Sequence, residues 1–157
     1  MTVRVQTDDF DVGAEMKALT EGRTDIGAVV TFTGTVRGNT PDNPISSLTL
    51  EHYPGMTEAE LARVEAEAMA RWPLAATLIV HRYGTLKPGD NIVLVITASA
   101  HRQAAFQAAE FLMDYLKSRA PFWKKETDTE GRGDWVDARE TDDAAAARWL
   151  APSKAIT

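Results

Sequence analysis

Residues 26–36 have the sequence Ile-Gly-Ala-Val-Val-Thr-Phe-Thr-Gly-Thr-Val, which is the clearest strand pattern in the chain. Its apolar side chains alternate with three threonines, and a strand places successive side chains on opposite faces. We therefore predict a strand over Ile26–Val36, with its apolar side chains pointing one way and the threonines the other. The side chains predicted on the apolar face are Ile26, Ala28, Val30, Phe32 and Val36. Arg37 follows this strand and begins the loop 37–44, which is rich in Pro and Asn. Such a position suits contact with a ligand, although an arginine that ends a strand is commonly just exposed.

The same patterns predict further strands on both sides of this stretch. Leu78–Arg82 and Ile92–Ala98 are almost continuously apolar, which is typical of strands that are covered on two faces. Alternation and turn residues predict the other strands, with the last two forming a hairpin: Thr2–Gln6, Ile45–Tyr53, Phe122–Asp128 and Asp134–Ala138.

Helical periodicity predicts four helices, at Val12–Leu19, Thr57–Trp72, His101–Ser118 and Asp142–Leu150. The second helix is expected to begin with a capping box formed by Thr57 and Glu60, while Met56 packs on Leu61. Strands and helices are mixed without strict alternation, which favours the α+β class.

The composition excludes several kinds of chemistry. The 157 residues include 17 Lys and Arg, 23 Asp and Glu and no Cys, which gives a formal net charge of −6. A chain without cysteine has no disulfide, thiolate metal site, iron–sulfur cluster or cysteine nucleophile. The acidic balance argues against general nucleic-acid binding. His52, His81 and His101 show no metal-ligand spacing, so we expect no metal site.

The chain shows no repeat or linker, so we expect one domain over residues 1–157, with a frayed tail at about 151–157. Its longest clean apolar run, Ile92–Ile96, is far shorter than the roughly 20 residues of a membrane helix. Residues 1–10 contain no apolar signal core. We therefore expect a cytoplasmic protein that does not act on a membrane.

Basic side chains are concentrated between His101 and Lys125. This window holds five Lys and Arg residues against two acidic ones, a local charge of +3, whereas the rest of the chain has 12 cations against 21 acids. A basic pocket in an acidic protein focuses the electric field on a small anionic ligand. His101 and Arg102 begin a predicted helix, where unpaired N–H groups favour an anion.

Each of these cations also has an ordinary structural explanation. His101 and Arg102 fit the exposed start of a helix, and Lys117 in its last turn complements the helix dipole. Alternation sends Lys124 and Lys125 to opposite faces of their strand, so one of them can enter a pocket while the other is solvated.

Five stretches together resemble the large, catalytic subunit of molybdopterin synthase, in that family's order and spacing. The resemblance covers about residues 27–138. The stretches that carry it are Gly27–Arg37, Leu48–Met56, Ser99–Arg102, Asp114–Lys117 and Ala120–Glu126.

The resemblance implies an activity and an assembly. The activity is that of a sulfurtransferase of molybdenum cofactor biosynthesis, which converts cyclic pyranopterin monophosphate to molybdopterin by inserting two dithiolene sulfurs. The sulfur donor is the C-terminal Gly-Gly thiocarboxylate of a small ubiquitin-like sulfur-carrier subunit, and the large subunits form a homodimer within a heterotetramer. The fold implied is an α/β hammerhead with an additional antiparallel β subdomain, and no cofactor is implied. An external donor agrees with the absence of cysteine.

The resemblance also implies the site. Lys117 and Lys124 correspond to catalytic lysines beside the incoming tail, and His101 and Arg102 to a pair that holds the anionic pterin. The substrate-binding residues implied by the resemblance are Thr35, Val36, Arg37, His101, Arg102, Lys117, Lys124, Lys125 and Glu126.

A second interpretation of the same cations is a binding module without catalysis. Such a domain would sense a small phosphorylated metabolite and leave it chemically unchanged. The enzyme, in contrast, would bind an extended Gly-Gly tail and consume its thiocarboxylate.

Overall fold

The computed structural model describes residues 2–38, 44–136 and 140–150. In these ranges the strands form two four-stranded sheets, and the predicted α+β class is confirmed. The first sheet is antiparallel except for its first strand pair, and its order is β1 (Val3–Gln6), β4 (Leu74–Arg82), β6 (Asn91–Ser99) and β2 (Ala28–Thr35). The second sheet has the order β5 (Gly84–Leu86), β3 (Ile45–His52), β7 (Phe122–Asp128) and β8 (Gly133–Val136).

The second sheet is the additional antiparallel unit that the sequence predicts. All three of its strand pairs are antiparallel. The short strand β5 was not predicted, because three residues give too little alternation to recognise.

Helices cover both faces of the first sheet. They are α1 (Val12–Thr20), α2 (Met56–Arg71), α3 (Arg102–Ser118) and α4 (Glu140–Ala147), which a 3₁₀ turn follows. Side chains of α2 and α3 pack on one face, where β6 contributes Val93 and Val95. The other face buries Leu94 and Ile96 beside Leu19 of α1. The prediction that β4 and β6 are covered on two faces is therefore confirmed.

A third apolar cluster joins the end of β2 to the second sheet. Its buried members are Val36, Ile45, Leu48, Leu50 and Leu86. Because Val36 belongs to this cluster, the residue that follows it is held at the junction between the two sheets.

The predicted beginning of α2 is wrong. The helix begins at Met56, and the N–H of Gly55 donates to Oε2 of Glu58 at 2.6 Å, while the Thr57 hydroxyl donates to the Tyr53 carbonyl at 2.8 Å. Gly55 has a φ of 86°, a conformation that glycine adopts readily, and this turn starts the helix before Thr57. Met56 is 62% exposed and does not form the predicted staple.

Phe32 of β2 is not buried in the core. Its side chain is 39% exposed although it lies opposite Val95, on the face of the sheet that carries α3. The reason is that β2 is an edge strand: in the described ranges it pairs with β6 alone, so the surface beyond it is uncovered.

The tail expected at 151–157 and most of the predicted loop, residues 39–43, lie outside the described residues.

A buried carboxylate on α2 connects this helix to the first sheet. Glu65 is 7% exposed and accepts hydrogen bonds from the hydroxyls of Thr2 and Thr77, the latter at 2.8 Å. Glu65→Ala leaves both hydroxyls without this acceptor, so we expect the free energy of unfolding to fall by about 2–4 kcal/mol in urea titrations.

Glu60→Ala provides the matched control on the same helix. The Glu60 carboxylate is partly exposed and pairs with Arg63, so its removal should cost less than about 1 kcal/mol. Equal losses for the two variants would contradict the structural role assigned to Glu65.

Candidate functional site

The end of β2 holds Arg37 beside the start of β6. Thr35 pairs with Asn91, and the buried Val36 donates its N–H to the Asp90 carbonyl at 2.9 Å and accepts from the Gly89 N–H at 2.8 Å. Arg37 is exposed directly after this anchor. Val36 therefore presents neither an exposed side chain nor an unbonded backbone group, and its effect on the site is to position Arg37.

Helix α3 carries Lys117 back toward the same end of the sheet. The helix packs on β6, and the Thr97 hydroxyl donates to the Ala105 carbonyl at 2.7 Å near the helix start. Its 17 residues span about 25 Å, nearly the length of β6. The exposed Lys117 in its last turn therefore lies toward Asn91, at the end of the sheet that also holds Arg37.

Strand β7 places its charged residues on two faces, as alternation predicts. Lys124 lies opposite Leu50, which is buried, and Glu126 is on the same face of the strand. Lys125 lies opposite Thr49 on the other face. Lys124 and Glu126 thus face the junction between the sheets, whereas Lys125 faces outward.

A group of aromatic rings, of which His81 is buried and the others are partly buried, connects the two sheets. We call the rings of His52, His81, Tyr83 and Phe122 the aromatic junction, because they connect β4 of the first sheet to β3 and β7 of the second. His81 and Phe122 stack nearly flat, with centroids 3.7 Å apart and an interplanar angle of 17°. His52 lies 4.4 Å from Tyr83 and 6.1 Å from Phe122, again between centroids.

The electrostatics of His81 show that both lysines are nearby. The pKa of His81 falls from the ordinary 6.5 to about 4, mainly because burial disfavours the charged ring. A hydrogen bond between Nδ1 and the Arg82 carbonyl, 2.8 Å long, acts in the opposite direction. The positive charges of Lys124 and Lys117 then lower the pKa of His81. Lys117 and Lys124, the two predicted catalytic lysines, are therefore both within electrostatic range of one neutral ring.

His101 and Arg102 lie at the opposite end of the first sheet. Ser99, which precedes them, pairs with Ala28, whereas Asn91 at the other end of β6 pairs with Thr35. Eight residue steps along β6 separate the two ends by about 26 Å. Both side chains are exposed at the start of α3. One chain therefore does not bring this pair to Arg37, and the basic window His101–Lys125 is divided between the two ends of α3.

Sequence reasoning missed the aromatic junction. The relevant signal was that His81 shares a strand face with Ile79, which predicts burial of both side chains. The contact of His81 with Phe122 joins residues 41 positions apart in two different sheets, so no local pattern shows it.

Two kinds of site are absent from the described ranges. They contain no group of three or more His, Asp or Glu side chains that could hold a metal ion. Nor does any helix within them have the length and apolar character that a membrane span requires.

Comparisons with known proteins agree with this architecture. The family model described as "MoaE protein" matches residues 5–119. A protein of Mesorhizobium japonicum named "Molybdopterin synthase catalytic subunit" is 61% identical over 154 residues, which is 98% of this chain and 96% of that protein. The solved structure of the MoaE protein from Burkholderia ambifaria has a TM-score of 0.80 at 55% identity, over 96% of this chain and 98% of that one.

A more distant structure shares the fold. It is a Helicobacter pylori complex of subunits 1 and 2 of molybdopterin-converting factor, with a TM-score of 0.71 at 21% identity, over 89% of this chain and 92% of that one. The fold and these relatives define an enzyme class, the sulfurtransferases of molybdenum cofactor biosynthesis. The chain belongs to the MoaE protein family, as its five characteristic stretches predicted.

The neutral state of His81 is directly testable because the chain has only three histidines. In ¹H–¹³C NMR spectra, we expect the His81 ring signal to remain that of a neutral imidazole down to about pH 5, since its pKa is about 4. Assignment uses His81→Phe, which removes one signal. A His81 signal with a midpoint near 6.5 would contradict the burial described above.

The same pKa difference predicts a pH dependence of stability. The unfolded chain binds a proton at His81 near pH 6.5, whereas the folded chain binds it only near pH 4. The free energy of unfolding therefore keeps the full contribution of the neutral His81 ring above pH 6.5. As the pH falls from 6.5 toward 4, the free energy of unfolding decreases by on the order of 3 kcal/mol. Urea titrations at several pH values should show this slope, and His81→Phe should lack it.

Proposed function

We propose that this chain converts cyclic pyranopterin monophosphate to molybdopterin, with Lys117 and Lys124 as its catalytic residues. The main support is that both lysines are within electrostatic range of the buried His81, at the end of the first sheet that also carries Arg37. A small anionic substrate requires such a local group of cations in an acidic chain. The name of the Mesorhizobium relative supports the same reaction.

The sulfur donor in this proposal is the C-terminal Gly-Gly thiocarboxylate of a small ubiquitin-like carrier subunit. The chain itself has no cysteine on which to store sulfur. The Helicobacter structure of similar fold is a complex of two subunits, which supports a protein partner.

The reaction transfers each sulfur in two steps. The thiocarboxylate sulfur forms a bond to a carbon of the pterin side chain while the C–O bond at that carbon breaks and its oxygen leaves with a proton, which links the carrier to the substrate as a thioester. Water then cleaves the acyl–sulfur bond, so that the sulfur stays on the pterin and the carrier leaves with a carboxylate. Ammonium groups at Lys117 and Lys124 stabilise the negative charge that develops and carry protons between the steps.

The remaining residues of the predicted site bind and orient the substrate. Thr35 is exposed, and Val36 anchors the Arg37 side chain that contacts the anionic pterin. Lys125 and Glu126 extend the binding segment along the two faces of β7. No metal or cofactor is required for either step.

The homodimer in this proposal completes the site. Within one chain, His101 and Arg102 are about 26 Å along β6 from the end that carries Arg37. The uncovered edge strand β2 offers a surface for a second copy, because Val29 and Phe32 are exposed there and Phe106 of α3 is 61% exposed.

An antiparallel pairing of β2 with the β2 of a second copy brings the two halves together. Such a pairing places Thr35 beside the partner's Ala28, and the next strand of the partner leads to the partner's His101. Two strand spacings, about 10 Å, then separate Arg37 from that residue, a distance that an arginine side chain and a bound anion can bridge. A two-fold axis creates two equivalent sites in this way.

Removal of one lysine tests the catalytic assignment. We expect Lys117→Ala to lower kcat by on the order of 10²-fold or more in a reconstituted assay with the thiocarboxylated carrier, since a charge that stabilises the transition state is lost. Lys17→Ala, on the exposed surface of α1, is the matched control and should retain full turnover. Near wild-type turnover of Lys117→Ala would reject the role.

Mixed dimers test the shared site. Arg37→Ala and Arg102→Ala chains should each be inactive alone. A heterodimer of the two, purified through two different tags, should regain about half of the wild-type turnover, because one of its two sites contains both native arginines. Heterodimers as inactive as their parents would place each site within one chain.

A further inference from the structure

We propose that His81 is a positioning residue, whose flat contact with Phe122 fixes Lys124 relative to Lys117. The catalytic consequence of this inference rests on the proposed function, whereas the positioning itself does not. His81 makes no contact with substrate in this proposal and acts only through the lysine pair.

The need for such a residue follows from the topology. Lys117 belongs to α3, which packs on the first sheet, whereas Lys124 belongs to β7 of the second sheet. The distance between the two ammonium groups therefore depends on how the two sheets are held together. In the aromatic junction, His81 is the member from β4, and its ring is in flat contact with the first residue of β7.

The contact of His81 with Phe122 reaches Lys124 through a short piece of strand. Phe122 and Lys124 are two residues apart on the same face of β7, with about 7 Å between their Cα atoms. His81 is itself held, because its Nδ1–H donates to the Arg82 carbonyl at 2.8 Å. A rigid ring on β4 thus limits the movement of the segment that carries the lysine.

The charges around His81 explain why the ring must stay neutral. Lys124 on β7, Lys117 on α3 and His52 on β3 all disfavour a positive charge on this ring. An imidazolium at this place would repel both lysines and would lose most of its hydration. A neutral ring provides the flat stacking surface without adding positive charge.

Two substitutions separate the ring from the hydrogen bond. His81→Phe keeps a flat ring but cannot donate to the Arg82 carbonyl, whereas His81→Asn keeps a donor at the place of Nδ1 but has no ring. We expect His81→Phe to retain kcat within about threefold, and His81→Asn to lower kcat by about 10²-fold with little change in KM, because misplaced catalytic groups slow the chemical step.

The readout independent of activity is the ¹³Cε NMR signal of Lys124 in the full chain labelled with ¹³C-lysine, assigned through Lys124→Arg. This signal should keep its position in His81→Phe and should move in His81→Asn. Phe122→Leu removes the other ring of the stack and should move it as well, which provides a second test if His81→Asn folds poorly.

Thr77→Val is the control for general destabilisation. Thr77 is buried on the same strand, and its hydroxyl donates to Glu65, away from the lysines. This variant should lower Tm and leave both kcat and the Lys124 signal unchanged.

A Lys124 signal that stays in place in His81→Asn and Phe122→Leu would overturn the inference, as would equal loss of kcat in both His81 variants. If the unmodified chain shows no turnover at all, the proposed function fails, and the Lys124 signal alone decides the positioning role.

Discussion

The antiparallel pairing of β2 with β6 determines where the charged side chains of this protein lie. Because the two strands run in opposite directions, the residue that follows β2 and the residues that follow β6 emerge at opposite ends of one sheet. Helix α3 then returns along the sheet and brings Lys117 to the end that carries Arg37. One pairing register thus creates a basic region at each end of the sheet, and neither region alone contains all the cations that the sequence singles out.

A second constraint acts at the junction between the sheets. Residues that follow the last turn of α3 cross from the first sheet to the second, so Lys117 and Lys124 are close in sequence but are supported by different layers. Burial keeps His81 uncharged within electrostatic range of both lysines, and this neutral ring packs on Phe122 where a charged one would be repelled. Burial lowers the pKa of His81, so the ring stays uncharged. Because an uncharged ring does not repel the lysines, the two layers can pack against each other at the site.

Local patterns were sufficient for part of this arrangement. The apolar runs of β4 and β6 predicted two covered faces, and alternation placed Lys124 and Lys125 on opposite sides of β7. The exposure of Phe32 could not be predicted, because whether a strand is central or at an edge depends on pairing partners that its own residues do not specify. His81 was missed as a site residue for a related reason, since its partner Phe122 belongs to another sheet. A charge count along the sequence likewise treated α3 as one basic window, although its two ends are about 25 Å apart.

The two basic regions also differ in the chemistry of their donors, and this difference suits a substrate with an anionic end and a reactive end. At the start of α3, Arg102 offers a planar guanidinium whose donors suit a phosphate, beside the backbone N–H groups of the helix start. At the other end, the lysines carry ammonium groups, which are compact positive charges on flexible side chains. Under the proposed pairing of two β2 strands, the partner's Arg102 binds the phosphate while Lys117 and Lys124 serve the side chain that receives sulfur. In such a dimer, the positive charges of the anion site would lie away from the lysines within each chain, and a bound phosphate would offset them where the chains meet.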